Sequence, residues 1–281
     1  MFSGIETLLR GLSSLTDEHE ARLARLLVHF GQCVFTRKLW EHLRGFEHLT
    51  LIPDQHLRRY PIHLIPNENG KTLLMEHSVG FLPISTYPFR SAPTQNAVFG
   101  CFDPVFPEST VVLNQWLGNG LNAWDHNFPP ADILKRVAQA SEAVFFVHGN
   151  PCSVNPLANR LALKDGNRLT AMDVLASSER FDDTHVLLMA CSSGWVDVKG
   201  TRHALGLVPA FLRRQARAVT GSLWPCRSTD ASDLAVQLLS AKADGMTPTQ
   251  AFSGFIRECV EGKSLVEAFF RYGCFVHFGH E

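Results

Sequence analysis

Two segments of the chain end in residues suited to nucleophilic chemistry. Ala143-Val144-Phe145-Phe146-Val147 runs directly into His148-Gly149-Asn150. His185-Val186-Leu187-Leu188-Met189-Ala190 runs directly into Cys191-Ser192-Ser193-Gly194. Both apolar runs are short and continuous, as in a buried strand. If the strands are parallel neighbours, His148 and Cys191 leave the sheet at one edge, where the functional groups of such sheets gather. A thiol reacts as thiolate at neutral pH only beside a base or an imidazolium, which the second strand end supplies. Gly149 lets a backbone N–H come close to a substrate carbonyl, the requirement of an oxyanion site. Taken singly, each residue has a plainer reading. A strand-end cysteine is commonly a small buried residue, and a His-Gly pair is commonly a turn. The two together carry more information.

Competing sites are weaker. Cys152 lies four residues past His148, in a polar stretch with no strand to hold it. The seven cysteines (Cys33, Cys101, Cys152, Cys191, Cys226, Cys259 and Cys274) are scattered, with no C-x-x-C pair. That argues against a disulfide framework and for a reducing compartment. The thirteen histidines gather into no ligand set, and His277 and His280 have no partners in sequence. No metal and no cofactor are expected. Gly262-Lys263-Ser264 ends like a P-loop, but Arg257 stands where that motif needs glycine. Trp116, Trp195 and Trp224 line a pocket or, by default, fill the core.

The elements that must position His148 and Cys191 follow from the pattern. Residues 17–44 read as helical, with Leu23, Leu26, Leu27 and Phe30 at spacings of three and four and Gly31 as a possible break. Residues 49–86 read as β-rich and 87–96 as a Pro-rich linker. Beyond 97, short apolar runs alternate with helical patterns: strands at 97–103, 143–148, 185–190, 218–224 and 274–278, helices at 109–121, 131–141, 169–177, 204–215, 230–243 and 248–261. Thr170 is a candidate N-cap. Residues 149–168 read as a loop. The alternation predicts an α/β fold with a mainly parallel sheet flanked by helices.

Composition excludes several classes. The 281 residues are 45% hydrophobic and 19% charged, with net charge −1 from 26 basic and 27 acidic residues. The chain is therefore not intrinsically disordered, and it lacks the basic excess of a nucleic-acid binder. No run of 18 apolar residues predicts a membrane span. Met1–Arg10 lacks a basic region followed by an apolar core. The expectation is a cytoplasmic protein that binds neither nucleic acid nor membrane.

At this level of detail the sequence resembles a known family. The segments that carry the likeness are Leu51-Ile52-Pro53-Asp54 with Leu57, Tyr60-Pro61 and Leu64; Phe146-Val147-His148-Gly149; Leu163 to Asp173; and Leu188 to Gly194. Gly206-Leu207, Ala210-Phe211-Leu212, Ala218-Val219, Ser222-Leu223-Trp224-Pro225 and Phe275 to Gly279 complete it. In this order and spacing they are similar to CHAT-domain proteins, caspase-like cysteine peptidases of the group that contains separase. Ala190-Cys191, with its histidine 43 residues upstream, also approaches the caspase pattern. The resemblance implies a caspase–hemoglobinase fold, with a helical segment at 1–48, a β-rich part at 49–96 and a catalytic core at 97–281. It implies that Cys191 is the nucleophile and that His148 protonates the leaving amine. The N–H groups of Gly149 and Cys191 would hold the oxyanion.

Trp224, Arg227 and Asp230 are the expected substrate contacts. Family members often carry acids three and four places after this tryptophan, and in separase-like members an acid there binds a basic P1 side chain. Here Arg227 and Ser228 hold those positions, and Asp230 is the first acid. Asp230 either reaches the pocket or caps the following helix, and Arg227 would suit an acidic or neutral P1. The resemblance further implies a thiol protease acting on a protein substrate. It would be latent until triggered, in bacterial antiviral defence or regulated death, for instance by cleaving a gasdermin-like partner. Residues 1–48 are too short for a TPR array, so an activator or sensor would be a separate protein. The alternative is a catalytically silent CHAT module that works by binding.

Overall fold

The computed structural model describes residues 16–54, 57–82, 97–117, 121–125, 128–152, 154–182, 184–196 and 204–279. Helices α1 (Asp17–Val34) and α2 (Arg37–Leu43) start at Thr16 and Thr36, whose hydroxyls accept from the backbone N–H of His19 and Leu39. The expected break at Gly31 does not occur; the helix runs on to Val34. A Cβ at Gly31 would lie 1.8 Å from the Pro66 carbonyl oxygen, so this glycine admits a neighbouring segment.

Strands β1 (His48–Leu51) and β2 (Ser78–Phe81) bracket the stretch read as β-rich. Between them lie 3-10 turns at Leu57–Arg59 and Ile62–Leu64 and the short α3 (Leu73–Glu76). Pro53, Pro61 and Pro66 have no N–H to give a ladder, which explains the loss of strand there. The expected linker at 87–96 lies outside the described residues.

The alternating part begins with β3 (Val98–Phe102), α4 (Pro107–Leu117), β4 (Leu121–Asp125), α5 (Pro130–Val137) and β5 (Glu142–Phe146). It is followed by β6 (Gly149–Asn150), β7 (Arg160–Ala162) and β8 (Arg168–Thr170), a small antiparallel sheet where the sequence reads as loop. Strands of two and three residues carry too little periodicity to be recognised. Next come α6 (Ala171–Ala176), closed by a Thr170–Asp173 capping box, and β9 (His185–Leu188). Then follow α7 (Leu207–Arg213), β10 (Ala218–Ser222), α8 (Ser228–Ala243) and α9 (Pro248–Val260). A final α10 (Leu265–Glu267), a π turn over Ala268–Tyr272 and β11 (Phe275–Gly279) end the described chain.

The main sheet runs β1-β2-β11-β10-β9-β5-β3-β4. Every pairing is parallel except β10 with β11. Strands β5, β9 and β10 are buried at every position, which is why they read as continuous apolar runs rather than alternating ones. Phe145, Phe146, Phe181, Phe211, Phe252 and Phe275 are fully buried in the core, to which α1 and α2 add Leu27 and Trp40.

A polar chain crosses the start of three central strands. Glu142 lies 3.0 Å from both His185 Nδ1 and Arg217 Nη2. His185 Nε2 and His277 Nδ1 each lie 2.9 Å from the Thr220 hydroxyl. The His277 ring stacks on Phe252 at 5.7 Å, with the buried His63 on the same phenyl ring. Burial holds His277 well below the usual histidine range and His63 down to about 3. His277 is thus a core residue. His280 lies outside the described residues.

Candidate active site

The register of the sheet places the two strand ends. Glu142 pairs with His185 and Phe145 is level with Leu188 in the parallel β5–β9 ladder. Met189 N–H donates to the Phe145 carbonyl at 2.8 Å, continuing the ladder past the end of β9. The same offset of 43 separates His148 from Cys191 in the chain, but past Leu188 the strand turns, with Ala190 N–H on the Leu188 carbonyl at 2.8 Å, and it is Gly149 that meets the Cys191 backbone.

His148 emerges from the buried run Phe145-Phe146-Val147 and is exposed. Its carbonyl accepts from Ala162 N–H at 2.8 Å, which ties it to the small sheet. Its ring packs on Phe106 at 4.5 Å, and Phe106 packs in turn on Phe146 at 5.6 Å. Phe106 thus anchors the imidazole to the core. Gly149 lies against the opposite strand end. A Cβ there would sit 2.1 Å from the Cys191 carbonyl oxygen and 3.0 Å from its backbone N and C. Only glycine allows this approach.

Cys191 opens a tight turn that two serines clamp. Ser192 N–H donates to Ser222 Oγ at 3.0 Å, and Ser222 Oγ donates to the Ala190 carbonyl at 2.9 Å. Ser193 Oγ donates to the Leu188 carbonyl at 2.8 Å and accepts from Ser222 N–H at 3.2 Å. Gly194 N–H donates to the Ser222 carbonyl at 2.8 Å. A Cβ at Gly194 would lie 3.0 Å from Ser222 N, so the turn sits flush on the end of β10. Ser192 is held at φ 57, a left-handed conformation that non-glycine residues seldom adopt. Strain of this kind persists where surrounding hydrogen bonds over-determine it, commonly at functional sites.

The environment of Cys191 favours its thiolate. The neighbouring Cys226 side chain favours the charged form most, and the backbone at Cys226 and Cys191 and the nearby charge of His148 act in the same sense. Partial burial opposes them and loses. The result pulls Cys191 from the ordinary thiol value down to about 6. Its interaction with Cys191, together with burial, pushes the Cys226 thiol up.

The expected substrate contacts fall in different places. Trp224 is buried, with its indole N–H donating to the Phe270 carbonyl at 3.1 Å and its ring near Phe269. Its backbone carbonyl lies 3.5 Å from the Ser192 nitrogen of the turn. Arg227 is exposed just ahead of α8. Asp230 is buried in the first turn of α8 and takes a bidentate pair from Arg271, at 2.9 and 2.7 Å. Arg271 also reaches Glu267 at 3.3 Å and covers the Tyr272 ring. The Asp230 charge is therefore already met from within the chain. Trp195 is buried, with the Arg59 guanidinium 5.9 Å above its ring. The Trp116 side chain lies outside what is described. Cys152 is partly exposed, its backbone N–H held by Asn159 Oδ1 at 2.6 Å.

Four residues around the site were not singled out from the sequence: Phe106, Ser222, Cys226 and Arg271. Ser222 stood in the Ser222–Pro225 motif and Cys226 just after it, whereas Phe106 and Arg271 left no signal. Among the described residues no group of three or more His, Cys, Asp or Glu side chains could hold a metal ion. No described helix is long and apolar enough to cross a membrane.

Comparison with known proteins gives a consistent picture. The CHAT domain model matches residues 21–269. Separase in the Saccharomyces cerevisiae separase–securin complex is similar in structure, with TM-score 0.56 and 13% identity. The match covers 83% of this chain and 15% of that one, so the chain spans a small part of separase. The Arg-specific cysteine proteinase gingipain R aligns at TM-score 0.56 and 11% identity, over 95% of this chain and 68% of that one. The complex of Porphyromonas gingivalis gingipain pro- and mature domains aligns at TM-score 0.55 and 10% identity, over 95% of this chain and 69% of that one. Among curated proteins no sequence match is found. The fold is that of the caspase-like cysteine peptidases.

Proposed function

The chain belongs to the CHAT domain family, and we propose that it is a cysteine endopeptidase acting through Cys191 and His148. The observation that carries this reading is the meeting of two strand ends: a thiol drawn towards thiolate, an exposed imidazole at the end of the neighbouring strand, and Gly149 pressed against the Cys191 backbone. In the proposed reaction the Cys191 thiolate attacks the scissile carbonyl carbon. The N–H groups of Gly149 and Cys191 stabilise the oxyanion. His148 protonates the leaving amine as the C–N bond breaks, leaving a thioester on Cys191. A water activated by His148 then attacks the thioester, releases the acid and restores the thiol.

The substrate is a protein segment. Asp230 is neutralised by Arg271, and Arg227, which stands in the chain where family members often carry an acid, is exposed. This pair of features favours an acidic or neutral P1 residue, unlike the Arg-specific gingipain. By the family resemblance, the enzyme acts in bacterial defence or regulated cell death, held latent until a separate protein triggers it, with a gasdermin-like pore former as one class of target.

The test is cleavage of a proteome-derived peptide library by wild type and by Cys191→Ala. Cuts made by wild type alone, with acidic or neutral P1 residues, are expected. Cuts that survive in Cys191→Ala would overturn the assignment of the nucleophile, and basic P1 residues would overturn the specificity.

A further inference from the structure

Four apolar residues in succession leave the end of β3: Pro104-Val105-Phe106-Pro107. None of them is buried. Pro104 and Pro107 are exposed, Val105 is 69% exposed and Phe106 is half-buried. Val111, one turn along α4 from Pro107, continues the strip and is 56% exposed. An exposed apolar run of this length is unfavourable in a folded chain unless it meets a ligand or a partner.

The run is also held firmly. Asp103 N–H donates to the Phe146 carbonyl at 2.9 Å, and Phe106 N–H donates to the Asp103 carbonyl at 3.1 Å. Val105 N–H donates to Asp103 Oδ1 at 3.0 Å. Ser109 closes the turn, its N–H and hydroxyl both donating to the Phe106 carbonyl, at 3.0 and 2.6 Å. Pro107, the first residue of α4, brings a φ already suited to the helix. The turn lays the Phe106 ring 4.5 Å from the His148 ring and leaves Val105, the residue before it, in solvent.

We propose that Val105 and the uncovered part of the Phe106 ring form the subsite for the P1′ side chain of the substrate, the residue that departs with the new amine, and that this side chain is apolar. The inference rests on the peptidase reading, in which His148 protonates that amine. A nitrogen that takes a proton from the imidazole lies about 3 Å from it. The Cβ of the same residue is two bonds further on, so its side chain meets whatever flanks His148. Among the described residues, the ring that packs on His148 is Phe106, with Val105 next to it in the chain. The acid of the turn, Asp103, has one carboxylate oxygen engaged by the Val105 N–H. A leucine or phenylalanine laid on Val105 and Phe106 removes apolar surface from water on both sides, whereas glycine or serine leaves it wet.

The test uses the full-length protein and matched peptides that share one cut site from the library and differ only at P1′. Wild type is expected to cleave the leucine and phenylalanine peptides with kcat/KM about tenfold above those with glycine or serine. Val105→Asp, at a solvent-exposed position, should shrink that preference to about threefold or less and cleave the glycine peptide within about twofold of wild type. A second readout needs no turnover: peptide Michael acceptors that carry leucine or glycine on the leaving-group side label Cys191, with the same ratios expected. Equal rates at every P1′ residue overturn the proposal and leave the peptidase reading standing. So does a preference for lysine or arginine, which would assign the subsite to the Asp103 carboxylate. A P1′ profile unchanged in Val105→Asp overturns it too, and a fall in that variant's oligomeric mass would then assign the strip to contact between copies of the chain. If wild type cuts nothing that Cys191→Ala leaves intact and neither reagent labels Cys191, the peptidase reading and the subsite fall together.

Discussion

Gly149→Ala puts one methyl group between the two strand ends. The new Cβ would stand 2.1 Å from the Cys191 carbonyl oxygen, while ordinary contact begins near 3.4 Å, so the atoms must part by about 1.3 Å. Neither side yields easily. The Cys191 turn is held by Met189 N–H on Phe145 and by Ser192 N–H on Ser222, at 2.8 and 3.0 Å. His148 is held by Ala162 N–H at 2.8 Å and by the Phe106 ring. Overpacking against fixed backbone costs about 2–3 kcal/mol, and a domain of this size loses about 2–4 °C in melting temperature per kcal/mol. The expected fall is thus roughly 4–12 °C. A displacement of about 1 Å between reacting groups costs on the order of 10²-fold in rate. Peptide cleavage should drop by that factor, and Cys191 alkylation should slow by about tenfold as the thiolate moves from the groups that stabilise it. Gly254→Ala is the control: it lies in α9 with nothing within 4 Å of its Cβ, and it should gain up to about 1 kcal/mol. If Gly149→Ala melts and alkylates within twofold of wild type, the two strand ends do not meet as described.

Three further outcomes follow from the same structure. The rate of Cys191 alkylation should rise with pH and reach half its maximum near pH 6, and Cys226→Ala should move that midpoint up by about one unit or more as the neighbouring side chain that favours the thiolate is lost; an unmoved midpoint would remove Cys226 from the account. His63 and His277 are neutral in the fold and protonate near pH 6.5 only when unfolded. The unfolded chain therefore binds more protons below that pH, and stability, full above it, should fall by about 1.4 kcal/mol per pH unit for each as the solution is acidified. Urea unfolding between pH 7 and 5.5 reads this slope, and a flat profile would contradict the burial of these rings. Asp230→Ala strands Arg271, whose side chain is 25% exposed, and should cost about 2–3 kcal/mol. A urea-unfolding double-mutant cycle with Arg271→Met should recover part of this loss, whereas strictly additive effects would mean that the pair contributes no coupling.

How much of this was legible depends on whether neighbouring residues or distant ones set the feature. The strands around His148 and Cys191 could be read because a parallel strand buried on both faces is apolar at every position. The Thr170 cap could be read because its partner lies three residues away. The small sheet at Gly149–Asn150, Arg160–Ala162 and Arg168–Thr170 could not, since its pairing is the only signal so short a strand has. Gly31 misled because glycine breaks helices and also admits neighbours, and only the position of Pro66 decides between them. At the site, His148, Gly149 and Cys191 stood out as residue types at strand ends. Asp230 was visible as an acid, but its commitment to Arg271 needed the fold to bring together residues 41 apart. Cys226 and Ser222 act on Cys191 across a register of β9 and β10 that no local pattern encodes.

The central claim is that two strand ends make Cys191 an activated thiol, and site-resolved alkylation tests it most directly. The seven cysteines are labelled with limiting iodoacetamide at pH 7, in wild type and in His148→Ala, and each site is quantified by mass spectrometry. The account predicts that Cys191 labels at least about tenfold faster than any other cysteine in wild type, and that the lead shrinks in His148→Ala. Equal labelling of the partly exposed thiols, or a lead at Cys152, would contradict it and favour a catalytically silent binding module.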